Sequence, residues 1–302
     1  MKFTDTTVTS REDIVEGWAE YFSGLYSPLT DATFDAEHKE HIEALFASYK
    51  EEDPTPPHPP FLYTEVAAAC KKLKKGKAPG FDGVESEHIK YGGAALLSHL
   101  HRLFNGILSV KYVPKNMKLG TVITLLKDPK KSHTDPNNYR GISLLPIVYK
   151  VLDNLFLVRL QNAISESEVV FPDPLQNAYI MRTECAFDVV WHPGLFVKLR
   201  ELGISDALWH VIVSAYTGME SQVRVNGLFS RRFPVLQSVR QGGVLSPTLI
   251  SVVYQWAHRG TKSEWPGMLH GGHILRSAGT GRRRGTAGSV TQSPTEDDRH
   301  LL

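Results

Sequence analysis

Three groups of residues in this chain have side chains and spacings suited to chemistry on a phosphorylated ligand. Lys127 directly follows the β-branched apolar run 121–126, and Arg140 stands thirteen residues later, beyond a polar stretch. Lysine presents a point charge and arginine a planar fork, so a hairpin closing the two over a triphosphate could hold its oxygens. Read alone, the pair is more simply two exposed cations on a loop. The second group is Gln241-Gly242-Gly243, followed by Ser246-Pro247. Glycines let backbone approach a ligand closely. Ser-Pro predicts the N-cap and first position of a helix, whose start favours phosphate. On its own this is equally a plain loop-to-helix junction. The third group is the five lysines within 71–77, which suit an RNA backbone or a solvated helix end. Phe187 lies in the apolar run 186–191 and by itself reads as a core aromatic. The histidines share no metal-ligand spacing with a carboxylate. Asp297-Asp298, the one adjacent Asp-Asp pair, sits among polar residues without apolar flanks and reads as a solvated acidic patch.

These residues need elements to position them. Residues 10–25 predict a helix: Ser10 and Asp13 form a capping pair, and Ile14, Trp18, Tyr21, Phe22 and Leu25 recur at helical spacing. A second helix is predicted over 36–49, with Ile42, Leu45 and Phe46 on one face. The proline-rich stretch 53–60 can hold neither helix nor inner strand and predicts a linker. A third helix starts near Thr64 and ends in the lysine run, with Gly76 at its C′ position. Residues 78–83 predict a turn, and helices follow over 84–91 and 94–109. The run 121–126 predicts a strand, 133–141 a polar loop, and 144–163 a long helix. Residues 224–227 and 231–235 predict a strand, turn and return strand. Residues 255–302, with eight glycines and a triple arginine, predict a disordered tail.

The fold class is therefore α+β, mostly helical with few strands. The domains expected are an acidic helical segment (1–53), a proline-rich linker (54–60), a basic domain (61–254) and the tail (255–302). Residues 1–60 hold 13 Asp/Glu against 4 Lys/Arg, whereas 61–254 hold 23 Lys/Arg against 15 Asp/Glu. A net of −9 beside a net of +8 points the larger part toward a polyanionic partner. No apolar run reaches the ~18–20 residues of a membrane span, and the N-terminus has no signal-peptide apolar region. Two distant cysteines exclude a disulfide framework and make an intracellular, reducing location the default.

Several motifs occur in a fixed order: 77–83 (KAPGFDG), 122–128 (VITLLKD), 138–145 (NYRGISLL), 176–179 (QNAY), 186–192 (AFDVVWH), 225–227 (VNG) and 240–247 (RQGGVLSP). Across 71–254 the chain resembles the reverse transcriptases of non-LTR, LINE-like retrotransposons, with Gly141 in place of that family's proline. The resemblance implies a fingers region and a partial palm, and RNA-directed DNA synthesis as the family activity. It implies nucleotide-binding roles for Lys127, Arg140, Phe187, Gln241 and Gly242, with Phe187 as the aromatic that excludes a 2′-hydroxyl.

The resemblance also implies what is lost. Nucleotidyl transfer uses two Mg2+ ions held by carboxylates. The family's first metal-binding aspartate lies five residues before the Phe187 position, which here is Arg182; Asp188 belongs to the motif without being that ligand. Gln176 and Ala186 are ten positions apart, so a helix and most of the first catalytic strand are read as deleted. The second carboxylate site, an aromatic-Ala-Asp-Asp hairpin, should follow the helix beginning at Ser246, yet the sequence passes into the tail, and no thumb follows. The expectation is a truncated, catalytically inactive copy with no intact catalytic residue and no cofactor. Its partner would be RNA or DNA, bound weakly and without sequence preference, with no membrane and the oligomeric state left open. The alternatives are a residual nucleic-acid-binding module and, last, a polymerase that borrows its aspartates from elsewhere.

Overall fold

The computed structural model describes residues 1–3, 6–28, 36–52, 58–166, 187–188 and 190–259. Helix α1 (Arg11–Leu25) begins as its sequence requires, the Ser10 side chain accepting from the Asp13 amide at 3.0 Å. It buries Val15, Trp18, Ala19 and Phe22. Helices α2 (Ala36–Glu51), α3 (Tyr63–Lys72), α4 (Ser86–Tyr91), α5 (Gly93–Val110) and α6 (Lys115–Lys118) follow. Strands β3 (Gly120–Leu126) and β4 (Tyr139–Leu144) form an antiparallel pair, preceded at the N-terminus by the small pair β1 (Lys2–Phe3) and β2 (Thr6–Thr7). After α7 (Ile147–Glu166) come α8 (His192–Glu201), α9 (Ala207–Tyr216), β5 (Met219–Val225), β6 (Leu228–Phe229), β7 (Phe233–Val235) and α10 (Ser246–Arg259).

The main sheet is mixed. β3 pairs antiparallel with β4 and parallel with β5, and β5 carries β7 along one half and β6 along the other. Strands alternate their side chains, so one face of this sheet packs against α1. There Val122 and Val223 are fully buried, and Phe22 fills the space over Gly141: a Cβ on that glycine would lie 2.6 Å from the ring. The 77–83 turn is fixed similarly, because a Cβ on Gly80 would lie 2.7 Å from the Pro146 nitrogen ahead of α7. The acidic segment shares the interior of the rest: Trp18, Ala19 and Phe22 belong to the main core, and Ile42 of α2 packs with Trp191 and Val197.

Three expectations need correction. Residues 139–144 are a strand, not loop and helix start, because Tyr139 to Leu144 find partners along the whole of β3; α7 begins only after Pro146. Helix α3 stops at Lys72, so Gly76 is not its C′ residue; its positive φ of 65° serves a turn whose amide donates to Glu87 Oε1 at 2.8 Å. Helix α10 continues to Arg259, through Gln255, Trp256, Ala257 and His258, none of which interrupts a helix, so the tail cannot begin at 255. Residues 260–302 lie outside the described part. No helix among the described residues is long and apolar enough to cross a membrane.

Candidate functional site

The β3–β4 hairpin brings the two predicted cations near one another. Leu125 stands opposite Arg140 in the register, and the Lys127 amide donates to the Asn138 carbonyl at 2.8 Å. Lys127 is therefore a diagonal cross-strand neighbour of Arg140, within reach of long side chains. The Lys127 ammonium donates to the Asn137 carbonyl at 3.0 Å, whereas the Arg140 side chain is exposed.

The loop before α10 runs along the free edge of this hairpin. The Ser143 amide donates to the Gln241 carbonyl at 2.8 Å. Gly242, at φ 103°, lies so close to β4 that a Cβ would sit 3.0 Å from the Ser143 carbonyl oxygen. A Cβ on Gly243 would sit 2.6 Å from Ser246 Oγ. The close approach these glycines permit is thus to the chain's own atoms. The Gln241 side chain donates to Asp188 Oδ2 at 3.2 Å, and the preceding residue, half-buried Phe187, accepts from the Val239 amide at 2.8 Å and packs against the core. Gln241, Gly242, Phe187 and Asp188 therefore cluster beside β4 near Ser143, and the Lys127 charge, from the far end of β3, acts on Asp188; Arg140 stays exposed. Arg182, Gln176 and Asp297-Asp298 lie outside the described residues.

Sequence reasoning set Asp188 aside and missed Asp153 altogether. Asp153 is buried in α7, and its Oδ2 accepts from the amides of Val244 and Leu245 at 3.0 and 3.3 Å. These two amides lie just ahead of α10, so this carboxylate holds the loop that leads into the helix. Beside it the buried Arg240 guanidinium stacks on Tyr149 at 5.2 Å and donates to the Lys118 carbonyl. Lys118 in turn donates its ammonium to the carbonyls of Ser214 and Thr217 at 2.9 and 2.8 Å, closing the end of α9. His192, pushed down to about 4 by burial, donates to the Ser238 carbonyl at 2.8 Å. The sequence signal was a lone carboxylate in an apolar helical run, four residues after Tyr149, where a buried charge demands partners.

Among the described residues, Asp153 and Asp188 do not make a site for a pair of divalent cations. Asp188 faces the Lys127 charge and is bonded by an amide donor, and Oδ2 of Asp153 is taken by backbone amides. Among the described residues no three His, Cys, Asp or Glu side chains are grouped to hold a metal ion.

Burial pushes the Asp188 carboxyl up to about 7, a rise that the Lys127 charge and the Gln241 hydrogen bond limit. Its ordinary value is 3.8, so the folded chain binds this proton more tightly than the unfolded chain. The resulting stabilisation is complete below about pH 4 and is lost as pH rises through about 7. Wild type should therefore lose stability relative to Asp188→Asn between pH 5 and pH 8, by up to a few kcal/mol at ~1.4 kcal/mol per pKa unit. Urea midpoints of both proteins at the two pH values measure this; a difference that does not change with pH contradicts it.

The comparisons agree with the resemblance to reverse transcriptases. A family model described as reverse transcriptase (RNA-dependent DNA polymerase) matches residues 128–275. The RNA-directed DNA polymerase from mobile element jockey of Drosophila funebris is 33% identical over 224 residues, 65% of this chain and 24% of that protein. Its Drosophila melanogaster counterpart is 33% identical over 216 residues, 62% of this chain and 23% of that protein. The probable RNA-directed DNA polymerase from transposon X-element of Drosophila melanogaster is 29% identical over 222 residues, covering 64% and 24%. The chain thus spans about a quarter of the length of these relatives. Over residues 128–275 it is reverse-transcriptase-like, and the relatives it matches are polymerases of LINE-like, non-LTR mobile elements.

Proposed function

We propose that this chain is a catalytically silent member of its family that keeps weak, sequence-independent contact with RNA or DNA. The observation that carries the silence is Arg182, a cation five residues before Phe187 where the family resemblance requires a metal-binding aspartate. The ten-residue spacing from Gln176 to Ala186 and the absence of an Asp-Asp pair with apolar flanks after α10 support the same reading. In this account β3 and β4 are a fingers hairpin, and β5, β7 and α10 are what remains of a palm. The basic part, 61 to about 259, follows an acidic helical segment and the 54–60 linker. Lys127 and Arg140 contact phosphate, Gln241 and Gly242 line the nucleotide position, and Phe187 abuts the sugar. Support comes from the diagonal placement of the two cations and from Asp188, which orients the Gln241 amide.

The net of +8 over 61–254 makes counterion release the dominant binding term. Anisotropy of labelled single-stranded RNA over a salt series should show affinity falling steeply, with a log–log slope of roughly −0.7 per phosphate neutralised. Salt-insensitive binding, or none by a monomeric folded sample, contradicts the retained contact.

A further inference from the structure

The sheet face opposite α1 is covered at one end and open at the other. At the covered end Thr121 and Gln222 are buried side by side, the Gln222 amide 3.5 Å from the Thr121 hydroxyl. Alternation carries the same face outward to Leu125 and Arg140 on one side and to Arg224 and Phe229 on the other. Leu125 is 52% exposed and Phe229 47% exposed, and Arg140 is exposed as well. Arg224 and Phe229 are direct cross-strand partners, so their Cβ atoms lie ~5 Å apart.

The hairpin that presents Phe229 is rigid. Asn226 and Gly227 turn with φ of 49° and 85°, the two positive values of a tight type I′ connection. Ser230 closes its base twice, donating its amide to the Val223 carbonyl and accepting the Val223 amide on Oγ, both at 2.9 Å. Arg231 then ties the outgoing chain to Glu16 and Glu20 of α1. An aromatic ring held nearly half in water on so fixed a support has little to gain within the fold. The strand charges on the open part of this face are Arg140 and Arg224; Glu220 lies at the opposite end of β5, where β7 pairs.

We propose that this open face is a docking platform for single-stranded nucleic acid, with Phe229 stacking on a base and Arg224 and Arg140 taking the flanking phosphates. Stacking needs an unpaired base and is indifferent to its identity, and the arginines supply the complementary charge. A duplex, with its bases stacked on one another, gains only the phosphate contacts. The proposal rests on the reading that the chain still binds nucleic acid, and it adds Phe229 and Arg224 to the contacts inferred from family motifs.

The test compares wild type with Phe229→Ala, Phe229→Trp and Arg224→Gln, using labelled oligouridine and an RNA duplex at fixed salt. Phe229→Ala should weaken oligouridine binding by at least about fivefold, the low end of what one stacked base contributes, and leave duplex binding nearly unchanged. Phe229→Trp should retain or improve the affinity, and Arg224→Gln should weaken it and flatten the salt slope. Thermal melts establish that the exposed substitutions leave the fold intact. If wild type binds oligouridine and Phe229→Ala binds it equally well, the platform is wrong while residual binding stands. If wild type binds neither RNA, both readings fail. If Phe229→Ala instead abolishes self-association seen by sedimentation and leaves RNA binding unaltered, the face joins copies of the chain and the proposal is overturned.

Discussion

Asp153→Ala is expected to lower the free energy of unfolding by about 3–5 kcal/mol at neutral pH, the range for breaking a buried charged cluster by removing one partner. The substitution removes the acceptor of the Val244 and Leu245 amides and leaves Arg240, 5% exposed, without the carboxylate beside it. A domain is commonly stable by only ~5–15 kcal/mol, so this loss is a large fraction of the whole. Asp153→Asn keeps an acceptor oxygen and should cost less. Burial pushes the Asp153 carboxyl up to about 6, a rise that the Leu245 amide and Arg240 limit, so its charge is unfavourable in the fold and its hydrogen bonds matter more than its ionisation. Because Gln241 sits three residues before Val244, the alanine variant should also loosen the Gln241–Gly242 turn. Urea unfolding followed by tryptophan fluorescence reads the first effect and proteolysis within 240–246 the second. A stability within ~1 kcal/mol of wild type would show that Asp153 is not what holds the start of α10.

Much of this architecture was legible before any coordinates, for local reasons. Ser10 and the apolar spacing after it specify α1, and the β-branched run 121–126 specifies β3. Asn226-Gly227 marks the hairpin turn, since two successive positive φ values suit few other residue pairs. What escaped was non-local. Strand β4 exists because β3 lies beside it, and the six residues of β4 are too few for their alternation to outweigh the helical pattern that follows. The glycines of the Gln241 loop were read toward a ligand, whereas the three-dimensional arrangement aims them at Ser143 and Ser246. Asp153 was invisible because its partners are backbone amides 91 and 92 residues away, which no side-chain pattern announces. Gly141 was visible only as a departure from a family motif; the Phe22 ring above it supplies the packing reason a smaller residue fits.

The central claim is the loss of chemistry, and the largest effect expected is on catalysis. Metal-assisted phosphoryl transfer draws its rate from cations that neutralise charge on the attacking and leaving oxygens, and on the proposed reading Arg182 sets a guanidinium at the first ligand position, where it would repel those ions. Restoring one carboxylate by Arg182→Asp should not recover activity, because on the same reading residues 260–302 carry no Asp-Asp pair with apolar flanks. The most direct measurement is primer extension on a poly(rA) template with oligo(dT), with magnesium and separately with manganese, using chain purified to homogeneity. The account predicts no template-dependent incorporation above a protein-free control, for wild type and Arg182→Asp alike. Extension that co-purifies with the chain and depends on template and divalent metal would contradict it.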